Sequence, residues 1–158
     1  MKANCRKEGI SVQRDVSERR TAAINAAVKR IEVATVFSNN LIRVEIEKSE
    51  VPWLKIFTQA ERREFSECTK EEKASILDAL DIIEREMLSY YRPAKINIAS
   101  FGNYLPLVHW HIMARFTEDS FFPEPMWGSK QREADLQLPS FERFCQKVGA
   151  KLEEALGR

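Results

Sequence analysis

Leu105-Pro106-Leu107-Val108-His109-Trp110-His111-Ile112-Met113-Ala114-Arg115-Phe116 is the stretch that decides how this chain is read. Side chains on a strand alternate between faces. Val108, Trp110, Ile112, Ala114 and Phe116 then form one wholly apolar face, which must look into the core. Leu107, His109, His111, Met113 and Arg115 share the opposite face. The chain has 2 His in all, and this register puts both on one surface, with Cβ atoms about 7 Å apart. Neutral imidazole is a nucleophile near neutral pH and can attack phosphorus to give a covalent intermediate. A second His, an Arg and an amide can then donate to the oxygens on which charge develops. Two ligands of a metal site are the chemical rival, because His-x-His on a strand also offers a pair of nitrogens. A third ligand would have to come from Glu118, Asp119 or a Cys.

Outward from this strand the pattern is regular. Lys95 to Ser100 alternates Ile96 and Ile98 with Asn97 and Ala99, so a neighbouring strand can present Asn97 beside the histidines. A turn at Gly102-Asn103 joins the two and brings in Asn103. Upstream, Thr69 and Glu72 stand at capping-box spacing. Ile76, Leu80, Ile83, Met87 and Tyr90 follow as a buried helical stripe, which ends at Arg92-Pro93. Ile42, Val44 and Ile46 alternate with Arg43, Glu45 and Glu47 as a strand with one wet face. Trp53 to Phe57 is its hairpin partner, with Trp53 as sheet packing. A last helix is expected from Ser140, with Phe141, Cys145, Val148 and Leu152 inward and Gly157 after its end. The run Lys70 to Lys73 reads as a solvated first turn. This order of strands and helices predicts an α+β domain with a mainly antiparallel sheet.

At 158 residues and 44% hydrophobic, the chain suits one globular domain with a sizeable core. No apolar run approaches the roughly 18 residues of a spanning helix. Net charge is +1, but residues 1–30 carry 8 Lys/Arg against 3 Asp/Glu, which leaves 17 against 21 in the remainder. That mildly acidic body argues against an extended nucleic-acid footprint. Residues 1–33 read as a basic peripheral extension, helical in part or disordered, without the apolar segment of a secretory signal. The 3 Cys are far apart and odd in number, which fits neither a disulfide framework nor a zinc ribbon and points to a reducing cytoplasm. There is no phosphate-cradling glycine loop, no dinucleotide fingerprint and no nucleophile elbow.

Asn97, Gly102-Asn103, Pro106 and His109 to Phe116 together resemble the histidine-triad (HIT) superfamily of nucleotide hydrolases and transferases. Asp119, Phe122-Pro123, Pro125 and Trp127-Gly128 extend the likeness toward a bacterial, diadenosine-tetraphosphate-hydrolase-like branch, over roughly residues 35–128. The resemblance implies a five-stranded, mainly antiparallel sheet with a long helix packed on it. Residues 34–129 would form the HIT-like domain, and 130–158 a linker and C-terminal helix. It also implies a nucleotidyl-histidine intermediate on His109, with His111 holding the α-phosphate oxygens. Asn103 stands where the family often has Gln, and Asn97 resembles its upstream Asn. Leu107 occupies the first triad position, and the Asn97-to-His109 spacing is one residue shorter than in the better-known members.

The candidate catalytic residues are therefore His109, His111 and Asn103. The candidate substrate-binding residues are Asn97, Gly102, Leu107, Arg115 and Trp127. Trp127 is a residue to stack on a base, reach across a dimer interface or simply fill a loop. No metal site is assigned and no cofactor is obligatory, with Mg²⁺ as a companion of a polyphosphate substrate. The expected partners are a nucleotide and a second copy of the chain in a homodimer. The alternative is a nucleotide-binding protein with a degenerate triad and little catalysis.

Overall fold

The computed structural model describes residues 34–157, so the basic extension at 1–33 lies outside the described residues. Five strands make one sheet: β1 (Thr35–Ser38), β2 (Ile42–Ile46), β3 (Trp53–Thr58), β4 (Lys95–Ala99) and β5 (His109–Arg115). Their spatial order is β1-β2-β3-β5-β4, and each neighbouring pair is antiparallel. Among the described residues two α-helices complete the α+β fold, α1 (Lys70–Tyr91) and α2 (Phe141–Leu156).

Alternation produces the sheet as expected, since Ile42, Val44, Leu54, Ile56, Ile112 and Ala114 all turn inward and are fully buried. β1 is the strand the pattern did not place, because four residues are too few to show a period of two. Asn39 closes the β1–β2 hairpin: its Oδ1 accepts from the backbone N–H groups of Leu41 and Ile42 at 2.9 and 2.8 Å. The His-bearing strand is shorter than expected. It starts at His109 rather than Leu105, because the Val108 N–H donates to the Arg62 carbonyl at 2.7 Å instead of to a neighbouring strand. Residues 100–108 therefore form a long connection rather than a tight turn.

α1 begins on the expected capping box. Thr69 Oγ1 accepts from the Glu72 N–H at 3.1 Å, and Glu72 Oε2 accepts from the Thr69 N–H at 2.7 Å. The first turn is not simply solvated, because Glu72 is buried and its carboxylate also receives the Arg62 guanidinium. Ile76, Leu80, Ile83 and Met87 line the buried face, but Tyr91 rather than Tyr90 completes it. Tyr90 instead donates its hydroxyl to the Ser140 carbonyl at 3.1 Å. Arg92 ends the helix with left-handed angles, φ 50° and ψ 51°.

α2 packs on α1 and β1 and shares their core. Its buried positions are Phe144, Val148 and Leu152, with Phe141 and Cys145 half-buried at the sides. The buried stripe runs at i, i+4, i+8 from Phe144, three residues after the expected start at Phe141, and keeps Val148 and Leu152. Gly149 permits the close approach, since a Cβ there would meet the Val36 carbonyl oxygen at 2.9 Å. Across the helix pair, the buried Glu86 carboxylate receives Lys147 at 2.6 Å and Lys151 at 2.5 Å.

That clamp gives a pH prediction. Burial pushes the Glu86 carboxyl up, but the two ammonium groups more than offset it and hold it below its ordinary range. A depressed carboxyl stabilises the fold above its unfolded value near pH ~4.3 and loses that contribution as pH falls through the folded value. Glu86→Gln should cost about 1–2 kcal/mol at pH 7, because both ammonium groups are half in water. Urea midpoints of the two proteins should converge as pH is lowered; a gap that stays constant down to acid pH would contradict the clamp.

Candidate active site

The face of the sheet away from the helices is organised by strand register. Phe57 pairs with His109, Lys55 with His111 and Trp53 with Met113. These residues, together with Ala99 opposite His111 and Asn97 opposite Met113 on β4, project from the same side. A cavity of about 570 Å³ opens there, lined by Trp53, Lys55, Phe57, His109 and His111 from the strands. Glu47 after β2, Phe101, Asn103, Tyr104 and Leu105 from the long connection and Trp127 from the loop after β5 complete its walls.

Both imidazoles are buried, with ring centroids 4.8 Å apart. His109 stacks on Phe57 at 5.0 Å and 18° between planes. The Arg43 guanidinium also lies over the Phe57 ring, 4.5 Å from its centre. His109 Nδ1 stands 2.8 Å from the Leu107 carbonyl oxygen, and a carbonyl can only accept, so this nitrogen carries the proton. Trp53 donates its indole N–H to Nδ1 of His111 at 3.1 Å. Trp53, Phe101 and Trp127 surround His111, with ring centroids at 5.4, 6.3 and 5.1 Å.

This aromatic surround acts on both titrations. Burial pushes the His109 pKa below the ordinary 6.5, against the opposing pull of the Leu107 carbonyl. Burial, then the neighbouring His109 and Lys55, push His111 down to about 4. Among the described residues Lys55 is the cation lining the cavity, and it is ion-paired there with Glu47. Among the described residues no three or more His, Cys, Asp and Glu side chains converge to hold a metal ion.

The expected site residues divide into three groups. His109, His111, Asn103 and Trp127 line the large cavity. Gly102, Leu107 and again Asn103 line a second, smaller cavity of about 290 Å³ behind the same connection. Asn97 and Arg115 line neither. Arg115 projects from the expected face but at the end of β5 that the following loop covers, and it is wholly buried. Its guanidinium binds both Asp119 oxygens at 2.8 and 2.9 Å, Asn97 Oδ1 at 2.9 Å and the Glu124 carbonyl at 2.9 Å. Asn97 is thus a partner of Arg115. Trp53 is the residue the sequence reading missed, since assigning it to packing overlooked the indole donor that a strand face would aim at the histidines.

Among solved structures the chain matches histidine triad proteins. One from Bradyrhizobium japonicum is 25% identical, with a TM-score of 0.60 over 78% of this chain and 90% of that one. A HIT protein from Sinorhizobium meliloti is 24% identical, with a TM-score of 0.59 over 79% and 90%. A third, from Marinobacter aquaeolei, is 23% identical, with a TM-score of 0.59 over 80% and 90%. No family model matches the chain, and no curated protein matches it. Its fold is that of the histidine triad proteins, an α+β sheet with the histidine strand between β3 and the edge strand β4. No described helix is long and apolar enough to cross a membrane.

The loop that carries Trp127 hangs on the buried ion pair. Asp119 also accepts from the backbone N–H groups of Phe116, Phe121 and Phe122 at 3.1, 2.9 and 2.7 Å. Arg132 ties the carbonyls of Thr117, Asp119 and Phe122. Asp119→Ala would leave Arg115 charged and unpaired inside the protein and should cost about 3–5 kcal/mol in urea unfolding. A loss under about 1 kcal/mol, the size expected of a surface pair, would show that the loop does not depend on it.

Proposed function

We propose that this protein is a nucleotide hydrolase or nucleotidyl transferase that cleaves a phosphoanhydride or phosphoramidate bond at the α-phosphate. The observation that carries the reading is the bond between His109 Nδ1 and the Leu107 carbonyl. A neutral imidazole has one N–H. With that proton on Nδ1, the lone pair sits on Nε2 and is free to attack. The depressed pKa keeps it unprotonated at neutral pH.

In the first step Nε2 of His109 forms a bond to phosphorus, and the bond to the leaving oxygen or nitrogen breaks with its electron pair. The leaving group takes up a proton. Water, or another acceptor, then attacks the nucleotidyl-histidine, gives up a proton and restores the imidazole. His111 and Asn103 donate to the phosphate oxygens as charge develops. Leu107 serves through its backbone carbonyl, which any residue would supply, while its side chain lines the second cavity. A non-His residue at the first triad position is compatible with this chemistry. No cofactor is obligatory; Mg²⁺ would come with the phosphates of a substrate such as diadenosine tetraphosphate. A homodimer would form by extending the sheet at β4, an edge strand with the half-exposed apolar Ile98 on it.

The test is turnover of adenosine phosphoramidate and of diadenosine tetraphosphate, followed as AMP and ATP by chromatography. His109→Ala should lower kcat by about three orders of magnitude or more, while nucleotide binding persists. Denaturation without acid should trap an adduct on His109 of the parent protein. Binding without turnover or adduct would favour the second reading, a nucleotide-binding protein with little catalysis, for which the missing first His is the motive.

The pH profile and Leu107 supply a separate check. Because the nucleophile must be neutral, kcat/KM should be lost on the acid side only, as pH drops through a His109 value that lies below the ordinary 6.5. Leu107→Ala should keep kcat within about threefold, since the carbonyl is retained. A loss comparable to that of His109→Ala would assign the Leu107 side chain a role beyond its backbone.

A further inference from the structure

Two neighbouring histidines of similar burial face the same cavity, and nothing in their residue type says which should attack. Their partners differ in kind. His109 Nδ1 meets an acceptor, the Leu107 carbonyl. His111 Nδ1 meets a donor, the Trp53 indole. Indole can only donate, so Nδ1 of His111 must present its lone pair. The single proton of the neutral ring is then on Nε2.

From this we propose that Trp53 is a positioning residue: its N–H fixes His111 in the Nε2–H tautomer, a donor to the reacting phosphate that cannot compete with His109 as nucleophile. The inference rests on the reading of His109 as the attacking group. It assigns the two rings opposite roles through one hydrogen bond each, from β3 on one side and the connection before β5 on the other.

The groups around His111 are consistent with this. His109 faces it from β5 and Lys55 from β3, paired with Glu47. Glu45 of β2 lies beyond Lys55 in the same row and is paired with Arg43. Phe101 and Trp127 close the loop side without charge. An imidazolium there would turn an N–H toward the indole N–H and lose the bond.

The experiment is ¹⁵N NMR of the histidine rings in the full chain, across pH, with Trp53 as indole or replaced by 3-benzothienylalanine. That replacement keeps the ring shape but has sulfur where the N–H was; Trp53→Phe is the genetically encoded companion. In the parent protein, His111 should show a protonated Nε2 and an accepting Nδ1, and His109 the reverse. In the benzothienyl protein, His111 should exchange between tautomers and titrate at higher pH, with His109 unchanged. Its kcat should fall about tenfold with KM within about twofold, the signature of a donor misplaced in the transition state. An unchanged His111 tautomer and titration in the benzothienyl protein would overturn the proposal and leave Trp53 as packing. The ring spectra decide this even if the parent protein turns over neither nucleotide, an outcome that would count against the hydrolase reading alone.

Discussion

The antiparallel pairing of β3 with β5 sets Phe57 opposite His109, Lys55 opposite His111 and Trp53 opposite Met113, and most of the remaining structure depends on it. Both strands are interior, so both edges of each are hydrogen-bonded to a neighbour. Leu54, Ile56, Ile112 and Ala114 are fully buried against the helices, and removing that apolar surface from water fixes the register. A slip of one residue would turn the histidines into the helix-packed core and those aliphatic side chains toward the cavity. The core therefore selects the site: the register that satisfies the apolar residues also brings Trp53, Phe57 and the two imidazoles together.

The site that results is built from desolvation rather than from strong positive charge. Two indoles and two phenyl rings line the cavity with the histidines, and the cation there, Lys55, is neutralised by Glu47. Both imidazoles are held neutral. In such surroundings a hydrogen bond carries more weight than it would in water. In the proposed reaction, directed N–H groups would then be the means by which charge on a phosphoryl group is met, and the position of each ring proton would matter.

The sequence carried the central alternation, the capping box at Thr69 and the two-histidine face, because each is a local pattern with a definite period or spacing. It did not carry β1, whose four residues are too short to declare themselves, nor the start of the α2 stripe, where packing against α1 and β1 buries Phe144 rather than Phe141. Arg115 shows the deeper limit. Alternation put it on the correct face, but a period of two says nothing about what covers each end of that face. Asp119, four residues on, folds back over it and consumes the guanidinium. Trp53 fails in the opposite sense. The strand pattern marks it as an apolar residue, although the partner that decides its role lies 58 residues away along the chain.

Arg115 and Trp53 together show how the fold divides its polar work. Arg115 sits under a loop in a fully buried ion pair, where its interactions are all with the protein and their effect is to hold Asn97, Asp119 and the Glu124 carbonyl in place. That loop then delivers Trp127 to within 5.2 Å of Trp53. Trp53 in turn holds His111. A charge that looked suited to phosphate is thereby used to build the wall of the cavity, and an indole that looked like wall makes the polar contact to the imidazole. Putting the strong charge pair in the scaffold and a single weak donor in the site has a physical sense. A guanidinium beside the rings would compete for their lone pairs, whereas an indole orients one nitrogen and adds no net charge.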